Sequence, residues 1–89
     1  MRAIVTVVGR DRAGIIARVS GCLYEMQINI EDISQTLLQG AFTMVMLVDA
    51  SASTLDFVTI AERLDTLGRE LGMSIRIQRE EIFEAMHRI

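Results

Sequence analysis

The chain has 89 residues, enough for one domain, and a domain of this size buries only roughly 60 to 65% of the surface its unfolded chain exposes. Although 51% of the residues are hydrophobic, no apolar run approaches the roughly 20 residues that cross a bilayer as a helix. The net charge is −3 and every basic residue is a dispersed arginine, so neither nucleic acid nor a membrane surface is expected as a partner.

The leading segment MRAIVTVVGR holds an apolar stretch too short for a secretory signal, and the lone Cys22 suits a reducing compartment. A cytoplasmic location is the expectation. Residues 2–8, RAIVTVV, are β-branched and alternate, with Ala3, Val5 and Val7 on one face and Ile4, Thr6 and Val8 on the other. Both faces are apolar, which predicts a central strand.

Two glycines, Gly9 and Gly14, then bracket RDRA, the spacing of a phosphate-cradling loop. The next residues are Ile15 and Ile16, where that chemistry needs a Lys for the phosphates and a Ser or Thr for Mg²⁺, so nucleotide hydrolysis is excluded. The glycines permit a sharp bend and the close approach of a ligand or a neighbouring chain, and the following helix N-terminus offers N–H groups to a carboxylate. Arg12 could add a cationic contact. On residue chemistry alone, the favoured reading is that Gly9, Asp11 and Gly14 only build the strand-to-helix turn.

From Ala13 the period changes, with Ile15, Val19, Cys22, Leu23 and Met26 forming one helical stripe and Asp11 placed to receive its first N–H groups. Residues 28–38 read as extended; Gln39-Gly40 makes a turn, and residues 42–50 return as the second arm of a hairpin. Ser53 and Asp56 resemble a capping box for a helix whose stripe is Leu55, Val58, Ala61, Leu64, Leu67 and Leu71, ended by Gly72 in a left-handed conformation. Residues 73–78 alternate again. The tail REEIFEAMHRI carries Ile82, Phe83, Met86 and Ile89 at helical spacing.

The order βαββαβ predicts an α+β, ferredoxin-like sandwich: a four-stranded antiparallel sheet ordered 4-1-3-2, with both helices on one face. Residues 1–79 form this domain and residues 80–89 a helical extension of it. The other face, bearing either Val5 and Val7 or their alternates together with Thr43, Val45 and Leu47 or Met44 and Met46, needs a cover from the tail or a second subunit.

No catalytic constellation is visible, because the one histidine is His87 in the tail and the one thiol lies on the first helical stripe. No metal or cofactor site is expected; Glu80, Glu81, Glu84 and His87 read as a solvated helix face. RNA-recognition domains share the predicted fold but stack bases on strand aromatics, and here only Phe42 is available. A phosphate loop of the acylphosphatase kind is likewise unmatched.

The segments GRDRAGIIARVSGCL, MQINIEDISQ and GAFTMVMLVD together resemble an ACT domain, the small regulatory module of amino-acid metabolism, across nearly the whole chain. They are similar to stand-alone ACT proteins that end in a comparable I-F-x-A-M-H-R-I tail, and to the ACT halves of the glycine cleavage system transcriptional repressor. The resemblance implies a non-enzymatic homodimer or higher oligomer, with second strands paired edge to edge and a small amino acid bound between the first loop and the partner's second strand. The positions carried over are Asp11, Arg12, Ala13, Gly14 and Ile15 in the loop, and Asn29 and Ile30 at the strand. It further implies a regulated protein partner; a ligand-independent dimerisation scaffold is the alternative. Two positions depart from the family pattern. Asp11 stands where ligand-binding members often have Asn, which favours an α-ammonium over an α-carboxylate at that point. Ala13 stands where Pro is usual, removing a fixed φ from the helix entry and predicting a more mobile loop.

Overall fold

A computed structural model of the chain describes residues 1–82. Its elements run β1 (Arg2–Arg10), α1 (Ile15–Glu25), β2 (Asn29–Leu38), β3 (Ala41–Asp49), α2 (Phe57–Leu71) and β4 (Met73–Arg79). The strands form one antiparallel sheet ordered β2-β3-β1-β4, the expected ferredoxin-like arrangement, with β1 central between β3 and β4.

Helices pack on the face that carries Ala3, Val5 and Val7 of β1, with Phe42, Met44, Met46 and Val48 of β3 joining Ile15, Val19 and Leu23 of α1 and Ile60, Leu64 and Leu71 of α2 in one core. This settles which alternation faces the helices. Met44 and Met46 are wholly buried, where flexible thioether chains fill the gap between sheet and helices. The opposite face bears Ile4, Thr6 and Val8 of β1 beside Thr43, Val45 and Leu47 of β3, all at least partly exposed.

Four local expectations are corrected. β1 runs on to Arg10, so Gly9 lies inside the strand, paired with Phe42 and Met73; a Cβ there would meet the Met73 sulfur at 2.6 Å. Its lack of a side chain leaves room for the Met73 side chain. The helix α1 begins at Ile15, not Ala13, and its cap is Gly14 at φ 86° with no side-chain acceptor, so Asp11 does not cap it. A left-handed residue at that point turns the chain into the helix, and glycine adopts it without strain. Asp56, not Ser53, caps α2: its Oδ1 accepts from the Thr59 N–H at 2.9 Å, and these hydrogen bonds hold the Asp56 carboxyl below the usual range. The Ser53 hydroxyl instead accepts from the Leu55 N–H. The buried stripe of α2 is accordingly Ile60, Leu64, Leu67 and Leu71, while Val58 is 62% exposed and Leu55 precedes the helix.

The hairpin turn is as expected. Gln39 and Gly40 both have positive φ, 52° and 80°, the combination that matches the twist of the flanking strands. Gly72 ends α2 at φ 69°. Glu80, Glu81 and Ile82 begin a helical turn after β4; Phe83, Glu84, Met86, His87 and Ile89, the rest of the expected tail stripe and charged face, lie outside the described residues.

Candidate ligand-binding site

The loop between β1 and α1 is held at two points. Asp11 donates its backbone N–H to the Gly40 carbonyl at 2.9 Å, tying the loop to the β2–β3 turn. Arg12 donates from Nη1 to the Leu71 carbonyl at 3.1 Å, placing its guanidinium at the C-terminal end of α2, where carbonyls lack helical partners and the helix field favours a cation. These tethers supply constraint that a proline at position 13 would otherwise give. Between them Asp11, Arg12, Ala13 and Gly14 are exposed, whereas the Ile15 side chain is buried in the core and contributes only its backbone to the loop surface.

The first helical hydrogen bond of α1 runs from the Arg18 N–H to the Gly14 carbonyl, 2.9 Å, which leaves the N–H groups before Arg18 without helical acceptors. No acidic side chain occupies the first turn of α1. The end of the helix therefore presents donors and a partial positive charge to solvent, with the Asp11 carboxylate close by in sequence. A depression beside the loop is lined by Val8, Gly9, Arg10, Asp11, Gln39, Gly40 and Ala41.

Asn29 and Ile30 lie elsewhere. Asn29 opens β2 and pairs with Asp49, which pairs in turn with Arg2, whereas the loop follows Arg10, whose neighbours across the sheet are Ala41 and Leu38. Eight residue steps along β3 separate the two ends, roughly 27 Å at strand rise. Asn29 is exposed; Ile30 is half-buried and packs against the core. Within one chain the structure thus brings Asp11, Arg12, Ala13, Gly14 and Ile15 together and leaves Asn29 and Ile30 at the far end.

The strand β2 is an edge strand, exposed along most of its ten residues, with Ile33, Leu37 and Leu38 at 41%, 59% and 69% exposure. A register shift between Ile30 and Asp32 leaves Glu31 as a bulge near its start, and Arg2 pairs with that Glu31 at 3.1 Å. From sequence, the polar middle of IEDISQTLL signalled an exposed strand. What it did not reveal was that two of its aliphatic residues, Ile33 and Leu37, share the helix side with core neighbours Met46 and Phe42 yet remain open.

A separate groove of about 600 Å³ runs between α1 and α2, lined among others by Ala17, Gly21, Cys22, Arg63 and Thr66, and none of the expected ligand-binding residues borders it. Arg18 and Glu70 pair across it at 2.8 Å. The Cys22 thiol there is pushed up in pKa, first by burial and then by the nearby Glu25 carboxylate. That favours the inert thiol form. Among the described residues no cluster of His, Cys, Asp or Glu has the geometry of a metal site, and no helix is long and apolar enough to cross a membrane.

Comparison with known proteins accords with this fold. The family model described as ACT domain matches residues 2–78. A UPF0237 protein of Clostridium acetobutylicum is 54% identical over 89 residues, all of both chains. Among solved structures, an ACT domain protein from Streptococcus pneumoniae superposes with a TM-score of 0.83 at 46% identity, covering 98% of each chain. A putative glycine cleavage system transcriptional repressor superposes with a TM-score of 0.74 at 28% identity, the match covering 86% of this chain and 44% of that one. The last likeness sets most of this chain against less than half of a longer protein. A family match over nearly every residue of the sheet and helices places the chain in the ACT domain family.

Proposed function

We propose that the protein is a non-catalytic regulatory module that works as a homodimer and senses a small amino acid or related metabolite at the seam between two chains. The observation that carries this reading is the separation of the loop from Asn29 along one sheet. A site that needs both can be built only from two copies. Pairing the free edge of β2 with that of a second copy, antiparallel about Ser34, brings Asn29 of the partner subunit beside Leu38, at the loop's end of the sheet. There the α1 N-terminus would take the ligand's carboxylate, while Asp11 and the partner's Asn29 would meet its ammonium and polar groups. Ile30 would support the strand from the core, and Arg12 would hold the loop against α2.

Ligand that bridges two chains favours the assembled state, so its occupancy is read out as assembly and passed to a regulated protein partner. Thermal-shift measurement across the amino acids at fixed protein concentration is the test. At least one should raise the melting temperature, and Asp11→Ala and Asn29→Ala should each abolish the rise. If no amino acid shifts the wild type, the sensing role is wrong.

A ligand-independent scaffold is the second reading, favoured by Arg12, whose guanidinium donates to the Leu71 carbonyl rather than standing free in the loop. Capture of a protein partner that is unaffected by dialysing metabolites from the extract would support the scaffold instead.

A further inference from the structure

The groove between α1 and α2 lies apart from the loop and the β2 edge, and part of its charge is not used by the fold. The two helices run in opposite directions, because they follow the antiparallel strands β1 and β3. One end of the groove is therefore walled by the start of α1 and the end of α2, and there Arg18 and Glu70 close it with an ion pair at 2.8 Å. A helix or strand laid along the groove would have to break that pair. The space of about 600 Å³ falls in the range of small-molecule pockets.

At the other end Glu25, the last residue of α1, shares the groove with Thr59, Glu62 and Arg63 from the early turns of α2. Glu25 and Arg63 both act on the Cys22 thiol, the carboxylate raising its pKa and the guanidinium lowering it. Yet they form no ion pair with each other or with any other described residue, so their charged nitrogen and oxygen atoms stand more than 4.0 Å apart. Opposite charges thus stand free on opposite walls. The floor between them is small and apolar: nothing lies within 4 Å of a Cβ built on Gly21, and Leu67 is buried beneath. A lone anion would meet Arg63 but also Glu25 and Glu62, and a lone cation would meet the guanidinium. A molecule bearing both charges suits both walls, its carboxylate on the Arg63 fork and its ammonium, which donates to more than one acceptor, shared by Glu25 and Glu62.

We propose that this groove binds a small zwitterion, an ammonium and a carboxylate on a short carbon frame, between Glu25 and Arg63 and over Cys22. Its remaining group points towards Gly21 and is limited in size by the Arg18–Glu70 pair. The site is complete within one chain, so it does not depend on the seam between two copies.

Cys22 gives the readout, being the single cysteine of the chain. Iodoacetamide labelling of the folded wild type is timed with and without glycine, L-alanine, L-serine or β-alanine at millimolar concentration. At least one should slow the reaction, roughly two-fold when its concentration equals its dissociation constant, whereas propionate and ethylamine, each bearing one of the two charges, should not. Arg63→Gln and Glu25→Gln should each remove the protection, and Asn29→Ala should leave it intact. The amide signals of Gly21 and Thr66 in the wild type, which need no variant, should shift in the same titration. If no probe slows the labelling or moves those amides, the groove is not a site. Protection lost in Asn29→Ala but kept in Arg63→Gln would place the zwitterion at the seam and likewise overturn the inference.

Discussion

Two glycines inside helices separate packing from propensity. Gly68 of α2 is buried, and a Cβ built on it would lie 2.7 Å from the Met73 carbonyl oxygen and 3.3 Å from Cγ1 of Ile75. The carbonyl belongs to the β4 backbone and cannot swing away, so helix and strand must part by several tenths of an ångström. Overpacking of this kind costs typically 1 to 3 kcal/mol, against which alanine gains about 0.5 to 1 kcal/mol over glycine in a helix interior. Gly68→Ala should therefore destabilise, by up to about 2.5 kcal/mol. Gly21 of α1 has nothing within 4 Å of its would-be Cβ, so Gly21→Ala keeps only the gain. At about 4 to 8 °C per kcal/mol for a domain of this size, the two variants should move the melting temperature in opposite directions. Calorimetry at one protein concentration decides it. A Gly68→Ala protein as stable as Gly21→Ala would refute the close docking of α2 on β4.

Acidification should reveal the α2 cap. The Asp56 carboxyl is held below its unfolded value of about 3.9, so its stabilising share is present above that pH and is lost as pH falls through the folded value. Asp56→Asn keeps an acceptor for the Thr59 N–H but cannot titrate; urea unfolding between about pH 5 and pH 2 should show a shallower pH dependence, and an unchanged slope would contradict the assignment. Burial and Glu25 raise the Cys22 pKa, so iodoacetamide at pH 8 should modify native Cys22 more slowly than the same thiol in urea, with equal rates counting against it. Leu64 is wholly buried between α2 and the sheet, and Leu64→Ala should cost about 2 to 5 kcal/mol in urea unfolding, a loss below 1 kcal/mol showing a looser core.

The fold was legible because period carries it. Alternation in RAIVTVV and MSIRIQ, the Gln39-Gly40 turn and the helical stripe ending at Gly72 each dictate one local structure, and only one sheet order joins them with right-handed crossovers. Errors gathered at the element ends, where one residue decides and several compete. Ser53 and Asp56 are both good cap residues, and Asp56 prevails because the chain enters α2 at Phe57. Asp11 is likewise a fair cap by type, but a left-handed glycine at position 14 makes the turn without it. At the candidate site, the clustering of residues 11–15 follows from adjacency alone. The engagement of Arg12 with Leu71 does not, since the contact joins positions 59 residues apart and no local pattern encodes it. Nor could periodicity show that Asn29 lies a full strand length from the loop; that follows from the register of three strands.

The whole account turns on β2 being a seam between two copies, and sedimentation equilibrium of the purified wild type at micromolar concentration tests it most directly. The predicted result is twice the chain mass, reduced to the single-chain mass by Gln35→Pro, which removes a backbone donor on the free edge of β2, whereas the Ser34 N–H beside it faces Val45 of β3. A wild type that sediments at the single-chain mass, while circular dichroism shows it folded, would contradict it.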